Sequence, residues 1–240
     1  MTHLNQISSM KLVPMNPTET TELMLADAPT AEAMKSYQMV VIDDETGQQV
    51  VVDKYLYLPG RPREYRFNGQ NGQFNLYGDR LLMDDKGKVL PSFTFQPIAY
   101  RLFEDLLFGR TDRELWMEVF FVDGQQCVSS ILFNNTSVNE LLRLMEPLHY
   151  EKLSLCDVVL TARPERVTSK SDTGKSWWIA RFSYEIATPE SVKEYREFVK
   201  DNRVFRAETL TNSAEHKILS RSYARLLDAE DAMSVLQQAA

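Results

Sequence analysis

The sequence predicts a mainly β protein of the α+β class, in which five strands form a small barrel. Apolar and aromatic residues alternate with polar ones in short runs from about residue 36 to residue 186, and turn residues separate the runs. One amphipathic helix interrupts these strands after Thr136, and a helical pattern follows residue 187. These three observations indicate a β-rich body with a helical C-terminal tail.

The first part of the chain is expected to hold an arm and a set of hairpins. Residues 1–35 show weak periodicity and predict a flexible N-terminal arm, with a short helix around residues 20–28. Residues 36–91 predict a β-hairpin extension, because turns that contain glycine, at 43–47 and 68–72, separate its strands.

The barrel is expected at residues 92–187. Its five strands share apolar or aromatic alternation bounded by turn residues, and they lie at residues 93–108, 114–122, 126–133, 158–163 and 177–186. The first of these segments is either one long strand or a pair of strands broken near Pro97. A helix separates the third strand from the fourth, and Ser137 and Glu140 have the spacing of a capping box at its start. Five strands with a helix in this place have the order of the OB-fold, a partly open barrel.

In the OB-fold, the loops between strands one and two and between strands four and five flank the ligand groove. These loops correspond here to residues 109–113 and 164–176. The second loop is long, polar and basic, which suits a fold that binds oligonucleotides. We therefore expect the ligand to bind beside the last hairpin.

Residues 188–240 predict a helical C-terminal tail. Thr188 and Pro189 suit the N-cap and the first position of a helix. A second helix is expected to begin near Asn212 and to run towards Leu236. No glycine-rich linker separates this tail from the barrel.

The charge of the chain is unevenly distributed. The formal net charge is −7 and the pI is about 5.1, which argues against a general nucleic-acid coat protein, since such proteins are usually basic. Residues 160–182, however, contain five cations and two anions and so carry a charge of +3. A local basic patch on an acidic body can bind a polyanion through a few salt-sensitive contacts.

Neither catalysis nor a metal or other cofactor is expected. The sequence contains no nucleophile-elbow, P-loop, zincin or dinucleotide-binding motif, and its three histidines lie in no polar cluster. Cys127 and Cys156 lie in apolar strand patterns without Cys-x-x-Cys spacing, which predicts two buried free thiols in a reducing compartment. Since no apolar run reaches about 18 residues and no signal-peptide pattern is present, we expect a soluble cytoplasmic protein with no membrane partner.

The last hairpin carries the main candidate binding residues. Single-stranded nucleic acid needs aromatic rings on which bases stack and cations that meet phosphates. Trp177 shares a mixed, wet strand face with Arg181, whereas Trp178 lies on an apolar face and is expected in the core. Stacking on Trp177, or burial of Trp177 under the tail or the arm, both remain open. The other hairpin cations are Arg163, Arg166, Lys170 and Lys175.

A second aromatic pair lies on the strand 114–122. The purely apolar face of this strand is expected to point inward, so Trp116 and Phe120 should lie outward with Glu118 between them. The two rings are further stacking candidates if this strand borders the groove. The competing interpretation is that they meet the N-terminal hairpins or another subunit.

The segment 92–186 resembles the small OB-fold single-stranded DNA-binding proteins of phages, plasmids and other mobile elements. The resemblance lies in ELWMEVFFVDG, QCVSSILF, the helix after Thr136 and VVLTARPERVTSKSDTGKSWWIARF. It implies a groove in which bases stack on aromatic rings and phosphates meet the basic loop. The residues to which it assigns these roles are Trp177, Arg181, Arg166, Lys170, Lys175 and, more weakly, Trp116. The chain departs from these proteins in its C-terminal SVLQQAA, which lacks the acidic tip through which many bacterial members recruit partners.

The predicted function is therefore non-catalytic binding of single-stranded nucleic acid, with DNA favoured over RNA, in replication or recombination. Exposed aromatic faces and the helical tail also predict a homo-oligomer. The alternative is a protein-interaction or assembly module of a mobile element that makes no nucleic-acid contact. DNA binding requires Trp177 and the hairpin cations to share one open surface, whereas an interaction module requires the aromatic residues to be covered in the oligomer.

Overall fold

The computed structural model describes residues 34–172 and 174–227. This part of the chain contains twelve strands and three helices, so the protein is mainly β and the expected α+β class is confirmed. The predicted flexible arm with its short helix, and the part of the predicted tail helix after residue 227, lie outside the described residues.

The elements follow one another along the chain with mostly short connections. The strands are β1 Gln38–Ile42, β2 Gln49–Asp53, β3 Arg63–Asn68, β4 Gln73–Leu76, β5 Arg80–Leu81, β6 Phe93–Phe95, β7 Pro97–Asp105, β8 Glu114–Val122, β9 Val128–Asn134, β10 Val158–Thr168, β11 Ser176–Ile186 and β12 Glu215–Leu219. The helices are α1 Asn135–Tyr150, α2 Pro189–Asp201 and α3 Arg221–Leu226.

The chain divides into two compact units, residues 1–54 and 55–240. The described part of the first unit is the predicted antiparallel hairpin, formed by β1 and β2. In its turn, the Thr46 N–H donates to the Asp43 side chain at 2.8 Å, and Gly47 adopts a φ of +67°. The glycine supplies the left-handed conformation that closes such a turn, so the predicted glycine-containing loop is confirmed.

The second unit is built on two sheets. The larger sheet has seven strands in the order β12-β7-β8-β9-β3-β4-β5, and neighbouring strands are antiparallel except for β3 and β9, which run parallel. The smaller sheet has the order β11-β10-β6 and is antiparallel. Only Gln96 separates β6 from β7. The chain therefore passes from the smaller sheet into the larger one next to the break predicted at Pro97.

The five strands and the helix expected in residues 92–187 occur in the predicted order, but they do not form one five-stranded sheet. A closed barrel would require β9 to pair with β11. The edge of β9 is instead occupied by β3, with Arg63 opposite Ser129 and Arg66 opposite Leu132. β3 belongs to the segment predicted as the N-terminal extension. Its parallel pairing with β9 divides the predicted barrel strands between the two sheets.

The main core lies between the two sheets and α1. β8 contributes Met117, Val119 and Phe121, which belong to the apolar face expected to point inward. α1 contributes Leu141 and Leu148, both almost fully buried. Burying a side chain of this size stabilises the fold by about 1.5–3 kcal/mol, so packing of these positions holds the helix against the sheets.

The predicted capping box at the start of α1 is wrong. The N-cap residue is Asn134, and its side chain makes no capping hydrogen bond. Ser137 lies inside the first turn, where its Oγ accepts a hydrogen bond from the Ala180 N–H at 3.1 Å. Glu140 pairs with Arg143 at 2.9 Å. The outer edge of β11 offers unpaired N–H groups, and Ser137 satisfies one of them instead of capping its own helix.

The C-terminal segment follows the prediction in its first helix only. α2 begins as expected, with the Thr188 side chain accepting a hydrogen bond from the Ser191 N–H at 3.3 Å. The second predicted helix is wrong over its first part, because Glu215–Leu219 forms β12 and pairs with β7. α3 follows only after Ser220. The unpaired edge of β7 provides hydrogen-bond partners that outweigh the weak helical preference of this short segment.

Both cysteines are free thiols, as the sequence predicts. The sequence predicts that both side chains are buried, but each of them is only partly buried. Burial of the sulfur atom nevertheless raises the pKa of the Cys156 thiol to about 12. That thiol is therefore protonated and weakly nucleophilic at neutral pH.

Candidate nucleic-acid interface

The outward face predicted for β8 is covered by the chain itself. Trp116 is 4% exposed and Phe120 is 0% exposed. The Trp116 indole N–H donates to the Asp105 carbonyl at 3.2 Å. The Phe120 ring stacks on Tyr223, with centroids 5.9 Å apart and an interplanar angle of 23°. The prediction that Trp116 and Phe120 face outward is wrong, because residues of the C-terminal segment pack on this side of the sheet.

Glu118, the charged residue between Trp116 and Phe120 on this face, lies in a fully buried ion pair. The Arg101 Nε donates to Glu118 at 2.8 Å from the neighbouring position on β7. The Thr209 hydroxyl donates to the same carboxylate at 2.9 Å. Because the charge is paired and hydrogen-bonded, the carboxylate can be buried beside Trp116 and Phe120.

The last hairpin has longer strands and a shorter loop than the sequence predicts. β10 and β11 pair from Val158 to Thr168, so the predicted loop 164–176 is reduced to residues 169–175. β6 pairs only with residues 160–162 of β10. From Arg163 towards the turn, the hairpin is therefore a two-stranded ribbon, and both Arg163 and Arg166 lie on its strands rather than in the loop.

The register of this ribbon separates its cations between two faces. Arg163 lies opposite Arg181 and Val167 lies opposite Trp177, so these side chains share one face. Arg166 lies opposite Trp178 on the other face. In the sequence, these cations form one cluster. Because successive side chains of a strand point to opposite faces, odd-numbered and even-numbered positions cannot lie on the same side.

Arg181 is occupied by two carboxylates. Its Nε and Nη2 donate to Glu165 at 3.0 Å and 3.1 Å, and its Nη1 pairs with Glu140 of α1. Hydrogen bonds to Glu165 and then Glu140 raise the pKa of Arg181, and the Arg181 guanidinium lowers the pKa of Glu165. The charge of Arg181 is therefore compensated, and we expect this residue to hold the ribbon against α1 rather than to meet phosphate.

Three other hairpin cations have no carboxylate partner in the part of the chain that the structure describes. These three exposed cations are Arg163, Arg166 and Lys170. Arg166 donates from Nε and Nη2 to the Ser176 hydroxyl, at 3.1 Å and 2.8 Å. Lys175 pairs with Asp172 at 3.2 Å, but both side chains are exposed, so the pair is weak and easily exchanged.

Trp177 is the more exposed of the two tryptophans, as predicted, but Trp178, which is expected in the core, is only partly buried and lies outside the main core cluster. Trp177 is 36% exposed, and its indole N–H donates to the Thr136 hydroxyl at 3.2 Å at the start of α1. Trp178 is partly buried, and its ring lies directly over Gly72 in the loop between β3 and β4. Its backbone N–H donates to the Gly69 carbonyl at 2.7 Å. The contact that limits the exposure of Trp177 comes from α1, while part of its ring stays open.

The loop after β7 contains an exposed aromatic residue, Phe108, at a position where the sequence predicts a strand. β7 ends at Asp105, so Phe108 belongs to a loop, where it is 54% exposed and has a φ of +57°. Its ring meets the edge of Trp116, with centroids 5.8 Å apart. A left-handed, non-glycine residue with an exposed ring is uncommon and costs about 1–3 kcal/mol, which makes it a candidate contact residue. The sequence predicts this loop only from Gly109 onward, because the apolar residues before it continue the strand pattern.

Hydrogen bonds connect this loop to the hairpin. Glu114, which follows the loop, accepts from the Asn134 side chain at 3.2 Å, and Asn134 directly precedes α1. Thr136 of α1 then accepts from Trp177. The loop 106–113 and the turn 169–175 therefore lie at one end of the second unit. Arg163 and Trp177 share one face of the ribbon, Arg166 lies on the other face, and Lys170 and Lys175 lie in the turn. We call these five residues, which span both faces of the ribbon and its turn, the hairpin surface.

Among the described residues, no group of three or more His, Cys, Asp or Glu side chains could hold a metal ion. No helix in that same part of the chain is long and apolar enough to cross a membrane. Comparison of the chain with protein-family models, curated proteins and solved structures gives no match. A function for the chain must therefore be inferred from its own residues.

Proposed function

We propose that the chain binds single-stranded nucleic acid, with DNA favoured, through the hairpin surface and without catalysis. The observation that carries this proposal is the two-stranded ribbon, of which one face carries the partly open Trp177 and the exposed Arg163, while the exposed Arg166 lies on the other face and Lys170 in the turn. Bases would stack on Trp177, which is worth about 1–3 kcal/mol per base, and phosphates would meet Arg163, Arg166 and Lys170. The exposed Phe108 is an additional candidate for stacking.

The proposed binding mode is OB-like in its loops but not in its groove. A helix between the third and fourth barrel strands, the pairing of β6 with β10, and two loops at one end support an OB-like arrangement. The OB-fold binds ligands across the face of its second and third strands, which correspond here to β8 and β9. That face is closed by the chain itself, since Trp116 and Phe120 are buried. We therefore place the strand of nucleic acid along the ribbon and its end rather than across the sheet.

The small number of available cations limits the salt dependence of binding. A single strand that meets three or four of them should give a slope of about −2 to −3 in log Kobs against log salt concentration. A steeper slope would mean that more of the surface takes part. A slope near zero would contradict a phosphate contact on the ribbon.

Titration with a dT oligomer, followed by tryptophan fluorescence at low and moderate salt, tests the proposal. We expect saturable quenching that weakens with salt. Replacing Arg166→Glu together with Lys170→Glu should weaken binding at least about tenfold, because two contacts are removed and two repulsions are added. The matched control is Lys86→Glu with Lys88→Glu, which makes the same charge change at another exposed turn and should leave affinity within about twofold. A folded protein that shows no quenching at low salt would contradict the proposal.

A protein-interaction role is the second candidate. Exposed apolar side chains at Leu56 and Leu58, two positions apart in the chain, favour it, since soluble domains seldom leave large apolar residues grouped in contact with water. Light scattering over a range of protein concentrations separates the two candidates. Self-association together with an absence of quenching by the oligomer would favour the interaction role.

A further inference from the structure

A large cleft lies on the second unit, among residues other than those of the hairpin surface. It has a volume of about 730 Å³ and is lined by the end of α1 with the turn after it, by α2 and by the start of α3. Ile98, Leu153 and Val199 provide apolar walls. The volume falls within the range of small-molecule sites, which is about 300–1,000 Å³.

The charges that line the cleft are almost all positive. Five lysine and arginine side chains and one carboxylate leave a formal charge of +4, although the whole chain carries −7. The cations are Lys152, Arg196, Lys200, Arg221 and Arg225. They come from three separate elements, so their convergence is a product of the fold and not of a basic run in the sequence.

The single carboxylate of the cleft is already engaged. The Asp157 side chain accepts from both the N–H and the hydroxyl of Ser154, each at 2.9 Å, and it pairs with Arg196. It therefore compensates only Arg196. The other four cations have no ion pair in the described part of the chain.

Several like charges around one cavity repel one another, and a ligand that brings several negative charges relieves that repulsion. A single monovalent anion would compensate one quarter of the charge of +4. Linked phosphate groups bring enough charge in a small volume, and arginine side chains bind phosphate through paired N–H groups. The hydroxyl group of Ser222 also lines the cleft and can donate to a phosphate oxygen.

We propose that this cleft binds a ligand with two or three linked phosphate groups, and that the apolar walls receive its organic part. Such phosphates could be those of a free nucleoside triphosphate or those of consecutive nucleotides in a strand. The site shares no residue with the hairpin surface, so it does not depend on the function proposed above.

Isothermal titration of the full chain with deoxythymidine triphosphate at low salt tests the proposal. We expect one saturable site, and at least about tenfold weaker binding after Lys200→Glu with Arg221→Glu. The hairpin variant Arg166→Glu with Lys170→Glu, and the control Lys86→Glu with Lys88→Glu, should keep the affinity of the unaltered chain. Absence of binding, or an equal loss in the cleft and control variants, would overturn the proposal.

Two further measurements complete the test. If the charge-reversed cleft variant does not fold, Lys152→Gln with Arg225→Gln is the alternative, because it removes two charges without adding repulsion. This variant should keep the circular dichroism spectrum of the unaltered chain and bind the triphosphate more weakly. Unchanged affinity in this variant would overturn the proposal. Competition with a dT oligomer identifies the source of the phosphates in the supported case. Displacement of the triphosphate assigns the cleft to the strand, and simultaneous binding assigns it to a free nucleotide.

Discussion

Glu118 shows how one buried charge can control the interpretation of a whole strand face. Read along β8, a carboxylate between Trp116 and Phe120 indicates contact with water. In the fold, the charge is compensated by Arg101 on the neighbouring strand and by the Thr209 hydroxyl. Arg101 also lies over the Phe103 ring, 3.9 Å from its centroid. The pair therefore joins the central strands to the C-terminal segment inside an otherwise apolar layer.

Removing the charge of Glu118 should strongly destabilise the protein. We expect Glu118→Gln to lower the free energy of unfolding by about 3–5 kcal/mol, because Arg101 would be left buried without compensation. Urea unfolding measures the change. The control Glu215→Gln breaks an exposed pair with Lys217 and should cost less than about 1 kcal/mol. An equal loss of unfolding free energy in the two variants would show that the buried pair stabilises the protein no more than the exposed pair does.

Because of His216, the stability of the folded protein should depend on pH even at pH values above those at which carboxylates titrate. Burial, and then the charge of Arg101, lower the pKa of His216 below its ordinary value of 6.5. The unfolded chain therefore takes up a proton at a higher pH than the folded chain. The stabilising contribution is complete above the ordinary value and is lost as the pH falls below it.

Urea unfolding at about pH 7.5 and about pH 5.5 measures this dependence. We expect lower stability at the lower pH, and a smaller difference for His216→Gln. Asp105 and Glu215 do not interfere, because hydrogen bonds from Thr211 and Ser213 outweigh burial to lower the pKa of Asp105, and a hydrogen bond from Lys217 lowers the pKa of Glu215. An unchanged difference in the variant would assign the dependence to another group.

At the scale of elements, the ribbon of β10 and β11 is positioned by a loop from the distant hairpin of β3 and β4. Gly72 has a φ of +72°, and a Cβ atom built on it would lie 2.6 Å from the Trp178 ring. The glycine is therefore needed twice, for its backbone conformation and for the space that the ring occupies. Gly87 has nearly the same φ, +73°, but nothing lies within 4 Å of its Cβ position.

These two glycines form a matched pair of substitutions. Gly87→Ala should cost about 1–2 kcal/mol from backbone strain alone. Gly72→Ala should cost about 1–3 kcal/mol more, because the added methyl group displaces Trp178. Thermal unfolding compares the variants, and tryptophan fluorescence should shift only for Gly72→Ala. Similar unfolding temperatures and spectra would mean that the loop does not support the ribbon.

The positions of most elements could be predicted from the sequence, but their partners could not. Alternation of apolar residues and turn residues correctly predicts the presence of β8, β10 and β11, since these signals are local, although β10 continues beyond its predicted end as far as Thr168. The pairing of β3 with β9 has no local signal, because it joins segments more than sixty residues apart. The formation of β12 likewise depends on the open edge of β7. Both depend on tertiary structure, which overrides local preference.

The candidate site was predictable to a similar extent. The sequence identifies the hairpin cations and Trp177, and the register then divides the cations between two faces. It could not show that Arg181 is held by Glu140, because that contact joins a strand to a separate helix. The basic cleft was not predicted for the same reason, since its cations come from three elements.

At the scale of the whole molecule, the segment predicted as an independent barrel depends on residues outside it. β3 covers the edge of β9, and the C-terminal segment covers Trp116 and Phe120. We expect a chain limited to residues 92–187 not to unfold cooperatively, because these surfaces would face water. Residues 55–240 should unfold cooperatively in the same experiment, since they form one compact unit. Cooperative unfolding of the shorter chain would show that the barrel strands are self-sufficient.

The seven-stranded sheet also has a consequence for synthesis of the protein on the ribosome. β7 leaves the ribosome long before β12, its neighbour at the sheet edge, has been translated. Until then, the nascent chain exposes the edge of β7, of which residues 101–104 later pair with β12, and the apolar side of β8. Such an edge favours association between unfinished chains. Production of the native protein should therefore depend on how quickly the last quarter of the chain follows, and on chaperones that occupy this edge in the meantime.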